Sequence, residues 1–185
     1  MSNSMQAIPR IVSEQSLTAA EDAAIRTALC RCFPADYEVF SKTRAWHGTF
    51  PTWTVLVPHE DLVIAHAGIV ERDILVGQER VRAAGVQNVL VVPEHRASRL
   101  FQQIMSAAME EARRRQLDLG ILFCTANLAP LYAWVGWRLL NGRRVVRIDE
   151  NGRPQSLPEK NVTMFYPLLR TDFPPGDIHL QGNDW

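Results

Sequence analysis

The sequence predicts a single α/β domain built from helices and strands. Its 185 residues suffice for one compact core, and the chain is 46% hydrophobic and 22% charged, as is ordinary for a globular protein. Hydrophobic periodicity then gives an element order of helix, three-strand meander, polar loop, second helix, strand, short helix and further strands. We expect residues 1–10 to form a flexible leader and residues 11–185 to form the domain.

The first half of the chain carries the clearest element signals. Apolar residues recur at helical spacing over residues 17–33, Thr18 followed by Glu21 or Asp22 is typical of a helix start, and Pro34 ends the pattern. Three β-branched, partly alternating runs separated by turn residues predict a meander of strands: 52–58, 61–77 and 80–92.

The second half continues with alternating helices and strands. Residues 98–115 place apolar side chains on one face and charges on the other, which predicts an amphipathic helix. A buried strand, a short helix closed by Gly136 and three later strands are expected next: 117–124, 127–136, 137–140, 145–149 and 161–169. The tail, 170–185, is rich in proline and glycine.

Charge and cysteine usage exclude several classes of protein. Twenty Lys and Arg balance twenty Asp and Glu, so no basic field is present to hold nucleic acid. No apolar run approaches the roughly 20 residues that span a bilayer, and the N-terminus does not resemble a secretory signal. The three cysteines lack metal-ligand spacing and are expected to be free thiols. We therefore expect a cytoplasmic protein without a metal, a nucleic-acid partner or a membrane partner.

The loop after the third strand has the character of an anion site. An apolar strand leads into Pro93, a polar loop and the start of the amphipathic helix, whose first N–H groups have no internal partner. The small Ala97 and Ser98 allow close approach to the backbone, and Arg96 and Arg99 add positive charge. This arrangement suits a pyrophosphate, while an ordinary strand-to-helix turn capped by Ser98 is the alternative.

Two motifs resemble the GNAT superfamily of N-acetyltransferases. The first, V-x-P-x-x-R-G-x-G/A followed by a hydrophobic residue, is similar to VVPEHRASRL at 91–100, where Ala97 and Arg99 replace the two glycines. The second contains an asparagine, a Leu-Tyr pair and a glycine-aromatic pair, and it resembles NLAPLYAWVGW at 127–137. The resemblance implies a GNAT fold, in which helices flank a mixed, twisted sheet, and it implies acetyl-CoA as cosubstrate.

The resemblance also implies roles for individual residues. Backbone groups of Val89 and Val91 would pair with the pantetheine arm, and Asn127 would hydrogen-bond near it. Tyr132 would act as the general acid for the leaving thiolate, although a core tyrosine is the alternative. Backbone amides of five residues would hold the pyrophosphate: Arg96, Ala97, Ser98, Arg99 and Leu100.

The catalytic base is not evident from the resemblance. Gln87 occupies the position where the family often has a glutamate, and glutamine cannot accept a proton at neutral pH. Either the acceptor arrives uncharged or a base lies elsewhere, and Asp36, Glu71 and His66 are candidates. His66 is equally compatible with a hydrogen-bonded core position.

Two branches of the superfamily resemble nearly the whole chain. The aminoglycoside 2'-N-acetyltransferases share IAHA at 64–67, a Phe-x-x-Asp segment at 33–36 and a terminal tryptophan. The resemblance implies that Asp36 binds a cationic amine and that the Trp185 carboxylate faces the reaction centre. The nodulation N-acyltransferases (NodA-like) share R-x-W-x-G-x-x-P, present here as RAWHGTFP at 44–51, which places Trp46 at the acceptor.

Three functions follow from these patterns. The first is transfer of an acetyl group from acetyl-CoA to a primary amine of a small molecule such as an aminoglycoside or amino sugar. The second is a NodA-like transfer of a longer acyl chain from a thioester. The third is a non-catalytic acyl-CoA-binding module. The resemblance also makes a homodimer possible.

Overall fold

The computed structural model describes residues 8–185, which form a mixed sheet flanked by helices. In chain order the strands are β1 (Arg10–Ser13), β2 (Trp53–His59), β3 (Leu62–Val76), β4 (Glu79–Val91), β5 (Leu119–Thr125), β6 (Arg138–Leu140), β7 (Val145–Ile148), β8 (Pro154–Ser156), β9 (Asn161–Pro167) and β10 (Ile178–His179). The helices are α1 (Ala19–Cys32), α2 (Tyr37–Phe40), α3 (Leu100–Arg114) and α4 (Ala129–Trp134). The predicted α/β class is confirmed.

The sheet has the path β6-β9-β5-β4-β3-β10-β7-β8, and β2 and β1 extend from the first half of β3. Neighbouring strands are antiparallel except for two parallel pairs, β4 with β5 and β10 with β7. The parallel β4–β5 pair requires a crossover, and α3 supplies it. The long strand β3 pairs with β2 through its first half and with β10 at Val76, so one strand links both parts of the sheet.

Strands β4 and β5 pair only over part of their length. Their register runs from Ala83 opposite Leu119 to Val86 opposite Leu122, and beyond these residues the two strands separate. The remainder of β4 pairs with β3 alone, and the remainder of β5 pairs with β9. A gap therefore opens in the middle of the sheet, and we call the point where it begins the apex of the split.

Each face of the sheet has its own core. One face is covered by α1 and α3, and its buried residues include Ile104, Met105 and Leu122. The other face carries Val81, Ile121 and Trp185, which pack with residues of β7 and β10. We call these the helix face and the tail face. Alternation along β4 places Gly85 and Gln87 on the tail face, and Ala84 and Val86 on the helix face.

The first helix begins as its sequence predicts. The Thr18 side chain accepts a hydrogen bond from the Glu21 N–H at 3.2 Å, and the Glu21 carboxylate accepts one from the Thr18 N–H at 3.0 Å, which completes a capping box. Within residues 8–185, no helix has the length and apolar character that crossing a bilayer requires.

The two ends of the chain differ from simple expectation. Most of the predicted leader, residues 1–7, lies outside the described residues, but Arg10 already belongs to β1, which pairs with β2. The proline-rich tail contains β10, which the sequence did not suggest because a two-residue strand has no periodicity to detect. This strand joins β3 to β7.

Candidate active site

The split exposes a strand edge on β4. The Val92 N–H donates to the Ile64 carbonyl at 2.9 Å, so backbone alternation turns the N–H and C=O of Val91 away from β3 and toward the gap. Val89 lies in a β-bulge with Asn88 opposite Ala67, and Asn88 has a φ of +54°, which asparagine tolerates. This edge can accept an extended ligand as an added strand, as the sequence predicts for Val89 and Val91.

The loop that follows β4 presents unpaired amides at the start of α3. Residues 96–99 are exposed, and neither Ala97 nor Arg99 donates its N–H to any described residue. Arg99, the residue before the helix, makes no side-chain cap. Ser98 Oγ donates to the His95 carbonyl at 2.5 Å and accepts from the Leu100 N–H at 3.3 Å, so Ser98 caps one amide of the first turn and leaves those of Ala97 and Arg99 free. Unpaired N–H groups at a helix start favour an anion.

Arg96 links this loop to the strand edge. Its Nε donates to the Val91 carbonyl at 3.2 Å, within the backbone segment that faces the gap. Its guanidinium thus lies between the exposed strand edge and the free amides, where positive charge favours a phosphate group. Arg99 is exposed at the N-terminus of α3.

Tyr132 lies in α4 at the other side of the gap. Its ring packs edge-to-face against Phe101 with centroids 5.5 Å apart, and the side chain is 8% exposed. Burial, assisted by the nearby Cys124 thiol, raises the pKa of Tyr132, which keeps its hydroxyl protonated at neutral pH. Asn127 is exposed in the turn that connects β5 to α4. Both residues occupy the helix face near the end of β5.

Gln87 holds a loop in place. Its Nε2 donates to the Thr49 carbonyl at 3.0 Å, and its Oε1 is 3.4 Å from the Trp46 N–H. The neighbouring Asn88 Nδ2 donates to the Arg44 carbonyl at 2.7 Å. Gln87 is 4% exposed, and its hydrogen bonds hold residues 44–51 against the tail face at the apex. Its amide is therefore engaged in positioning the loop.

The Arg44 side chain holds the same loop in place through two ion pairs. It is 2% exposed and binds Glu14 at 2.5 Å and Asp22 at 2.7 Å. Removing these carboxylates would leave a buried, unpaired guanidinium and would lower the free energy of unfolding by an amount on the order of 3–5 kcal/mol. Trp46, half-buried, stacks on Phe40 with centroids 5.7 Å apart. These contacts hold the RAWHGTFP segment, residues 44–51, in place beside the apex.

Trp185 closes the apex on the tail face. Its ring lies directly on Gly85, where an added Cβ would be only 2.1 Å from the Trp185 Cε2 atom. The ring also lies 5.7 Å from the Phe123 ring on β5, and the Arg72 guanidinium is 5.1 Å from its centroid. Phe123 is the first residue of β5 beyond the β4 pairing, so Trp185 spans the two strands where they separate.

His47 and Asp184 form a pair that the sequence did not predict. His47 Nδ1 is 2.8 Å from Asp184 Oδ1, and the exposed His47 ring packs at a tilt of 33° against Trp46, with centroids 4.6 Å apart. Asp184 is 7% exposed and also lies 3.2 Å from Arg147. A separation of 137 positions hides such a contact from any sequence pattern.

Two candidate bases named from the sequence do not fit that role. His66 is fully buried, its Nδ1–H donates to the Asn88 carbonyl at 2.9 Å, and its Nε2 accepts from the Thr54 hydroxyl at 2.5 Å. Burial lowers the pKa of His66 to about 4. Glu71 accepts from Trp53 Nε1 at 3.0 Å and from Arg115 at 2.7 Å, so its carboxylate is neutralised. His66 is therefore a core residue that stabilises the bulge.

Asp36, the third candidate, ends a short turn between α1 and α2. Its side chain is half-buried and has no hydrogen-bond donor among residues 8–185. The rings of Phe33 and Phe40 on either side of the turn lie 5.8 Å apart, and Phe40 stacks on Trp46. These contacts bring the turn beside residues 44–51, so Asp36 lies close to that segment.

The arrangement fits coenzyme A on three structural grounds. The free edge at Val91, the unpaired amides of Ala97 and Arg99, and the nearby Arg96 suit a pantetheine arm followed by a pyrophosphate. When bound, an acyl-CoA supplies the acyl group as a reactive thioester. Within residues 8–185, no cluster of three His, Cys, Asp or Glu is placed to bind a metal.

Comparisons with known proteins agree with this geometry. A family model described as an acetyltransferase (GNAT) domain matches residues 15–140. YhbS from Escherichia coli, solved in complex with CoA, superposes with a TM-score of 0.69 at 14% identity, covering 98% of this chain and 93% of its own. Escherichia coli ElaA gives 0.62 at 17% identity over 85% and 97% of the two chains. A Brucella melitensis GNAT acetyltransferase with acetyl-CoA gives 0.59 at 14% identity over 93% and 95%.

These structures share the fold, and the family model covers more than half of the chain. Acyl-CoA is accordingly the cosubstrate. The chain belongs to the GNAT family of acetyltransferases and is an acyl-CoA-dependent N-acyltransferase.

Proposed function

We propose that the protein transfers an acetyl group from acetyl-CoA to a primary amine of a small molecule. The observation that carries this proposal is the apex of the split. A free strand edge and unpaired helix amides lie along one side of the gap, and a buried, protonated tyrosine lies at the other. The tail face is left for the acceptor.

Each predicted site residue has a role in this proposal. Val89 and Val91 pair with the pantetheine arm, and Asn127 hydrogen-bonds beside it. Tyr132 donates a proton to the departing thiolate, since burial of its hydroxyl favours the protonated form. The pyrophosphate binds the free amides of Ala97 and Arg99 and the charges of Arg96 and Arg99. The N–H groups of the other three predicted residues, Arg96, Ser98 and Leu100, already donate to Pro93, His95 and Ser98.

The remaining residues shape the acceptor side. Gln87 holds residues 44–51 through two hydrogen bonds and so acts by positioning. The Trp185 ring forms the floor against Gly85. Asp36 supplies negative charge for a cationic amine, and the half-buried Trp46 borders the acceptor. An aminoglycoside or amino sugar fits this combination.

The alternative is transfer of a longer acyl chain. A cavity of about 200 Å³ lies on the helix face between α1 and β3, lined by apolar residues such as Ala28, Ile64 and Val92 and by Glu94 and His95 of the loop after β4. Tyr132 lies on the same face, and the donor panel described next distinguishes the two kinds of donor.

The test is an acceptor screen with acetyl-CoA, followed by release of free thiol. The panel contains aminoglycosides, amino sugars and polyamines, and the expected result is turnover with at least one primary amine. A donor panel from acetyl to palmitoyl thioesters follows, and preference for acetyl is expected. Binding of acetyl-CoA in calorimetry without turnover on any acceptor would identify a binding module instead.

Two further expectations accompany the proposal. A cytoplasmic location agrees with the three described cysteines, which are all free thiols. A homodimer remains a prediction, and light scattering coupled to size-exclusion chromatography measures it directly.

A further inference from the structure

The structure brings a histidine and a carboxylate together beside the proposed acceptor site. His47 lies on the loop that Gln87 fastens to β4, and Asp184 immediately precedes the Trp185 ring at the apex. Their side chains meet at 2.8 Å between Nδ1 and Oδ1. Because Asp184 is 7% exposed and His47 is 41% exposed, one end of the pair is fixed inside the protein and the other faces solvent.

Several contacts fix the geometry of this pair. Asn183 Nδ2 donates to the His47 carbonyl at 2.9 Å, and Arg147 donates to Asn183 Oδ1 at 2.6 Å. Arg147 also lies 3.2 Å from Asp184 Oδ1, and Arg72 donates to the Asn183 carbonyl at 2.6 Å. His47 has a φ of +45°, a conformation that costs free energy in most residues and that the surrounding contacts maintain.

A carboxylate bound to Nδ1 determines what the other ring nitrogen can do. The Nδ1–H donates to the carboxylate, so the neutral ring keeps its lone pair on Nε2. The same carboxylate stabilises the imidazolium that forms when Nε2 takes a proton. Among residues 8–185, Nε2 has no hydrogen-bond partner. The ring is therefore oriented as a proton acceptor toward solvent.

The position of the pair complements that of Tyr132. Gln87 and Trp185 place the His47 loop and Asp184 on the tail face of the apex, whereas Tyr132 packs against Phe101 of α3 on the helix face. A base on one face and an acid on the other suit a reaction whose nucleophile and leaving group occupy opposite sides of the sheet. Neither His66 nor Glu71 is free to fill the role.

We infer that His47 is the general base that removes a proton from the acceptor ammonium, and that Asp184 positions it. This inference rests on the proposed function. Nε2 takes one proton from the ammonium, and the neutral nitrogen attacks the thioester carbonyl carbon. A C–N bond forms, the C–S bond breaks, and the thiolate takes a proton from Tyr132. The nitrogen loses two protons in all: His47 releases the first to solvent, and the second replaces the proton that Tyr132 gave to the thiolate.

The first experiment uses whichever acceptor the screen finds. His47→Asn suits the left-handed backbone, and it is expected to lower kcat by about 100-fold, the lower part of the range for general base catalysis, with KM changed less than about threefold. His47→Ala is expected to regain activity when imidazole is added. His179→Asn, a substitution of a histidine in β10, which pairs with β3 and β7, is the matched control and is expected to retain full activity.

The second experiment needs neither acceptor nor coenzyme. Long-range nitrogen–proton NMR of the histidine rings distinguishes the two neutral tautomers, and His47 is expected as the Nδ1–H form. Asp184→Asn is expected to shift this population toward Nε2–H and to lower kcat by about tenfold or more, because the tautomer and orientation are lost. Thermal unfolding of each variant separates these effects from a loss of folding.

The outcomes separate the inference from the proposed function. If no amine is acetylated although acetyl-CoA binds, the proposed function fails. If an amine is acetylated and folded His47→Asn retains its kcat, the inference is overturned. Failure of imidazole to restore the alanine variant, or an Nε2–H tautomer in the wild type, would also overturn it.

Discussion

Gly85→Ala tests whether the Trp185 ring is fixed at the apex. Gly85 lies within β4 in an ordinary strand conformation, so its backbone tolerates alanine. The new Cβ would meet Trp185 at 2.1 Å from Cε2 and 2.5 Å from Cδ2 and Cζ2. Ordinary carbon contacts lie at about 3.5–4.0 Å, so the rigid ring has to move by more than about 1 Å.

The expected cost follows from the burial of the ring. Overpacking a core costs about 1–3 kcal/mol, and losing a buried tryptophan costs about 3–5 kcal/mol. Trp185 is 4% exposed and its indole N–H has no partner among the described residues, so the ring is held by packing alone. The chain end that carries Trp185 can therefore move more easily than strand β4. We expect a loss of roughly 2 kcal/mol, which lowers Tm by about 4–8 °C in a chain of this size.

A double-mutant cycle measured by urea unfolding isolates the contact. In the Trp185→Ala background, Gly85→Ala is expected to cost less than about 0.5 kcal/mol, because the clash is gone. The control is Gly120→Ala in β5, whose Cβ would meet Met109 Sδ at 2.8 Å on the helix face. The loss of unfolding free energy caused by Gly120→Ala should be the same with and without Trp185. An equal cost of Gly85→Ala with and without Trp185 would refute the packing of this ring against β4.

Three further predictions address the donor site and the core. Tyr132→Phe is expected to lower kcat at least tenfold while the calorimetric Kd for acetyl-CoA stays within about twofold, because the hydroxyl acts on the leaving thiolate; a full kcat would remove the proposed acid. Arg96→Gln and Arg99→Gln are each expected to weaken acetyl-CoA binding several-fold and to reduce its salt dependence, whereas Arg80→Gln, far from the loop, should not. Burial lowers the pKa of His66 from 6.5 to about 4, so the unfolded chain binds a proton there before the folded chain does. Stability from this group is complete above pH 6.5 and is lost as the pH falls to about 4, by roughly 3 kcal/mol. Urea titrations should show that His66→Gln lacks this part of the acid destabilisation, and an unchanged profile would contradict a buried neutral His66.

Elements with local signals were predictable from the sequence. Thr18 and Glu21 mark the start of α1 because a capping box involves residues only three apart. The three meander strands appear within one or two residues of their predicted bounds, since β-branched runs and turn residues act locally. Strands β1, β8 and β10 were not predicted, because each has four residues or fewer and depends on its partner strand.

The donor half of the site follows the same pattern. The strand, loop and helix around Arg96 are contiguous in sequence, so a pattern of ten residues could indicate their geometry. The acceptor half depends on distant segments. Gln87, the loop containing His47 and the tail containing Asp184 meet only because β4, the segment before β2 and the chain end are assembled on one face.

The sequence by itself thus determined the α/β class and the helix and strand order, because these depend on short-range periodicity, while the coenzyme A residues stay a prediction drawn from a resemblance. Only the tertiary structure decided that Gln87 binds the loop containing His47, that His66 belongs to the core, and that His47 contacts Asp184. Side-chain roles of this kind are set by partners far apart in the chain, and those partners are chosen by packing.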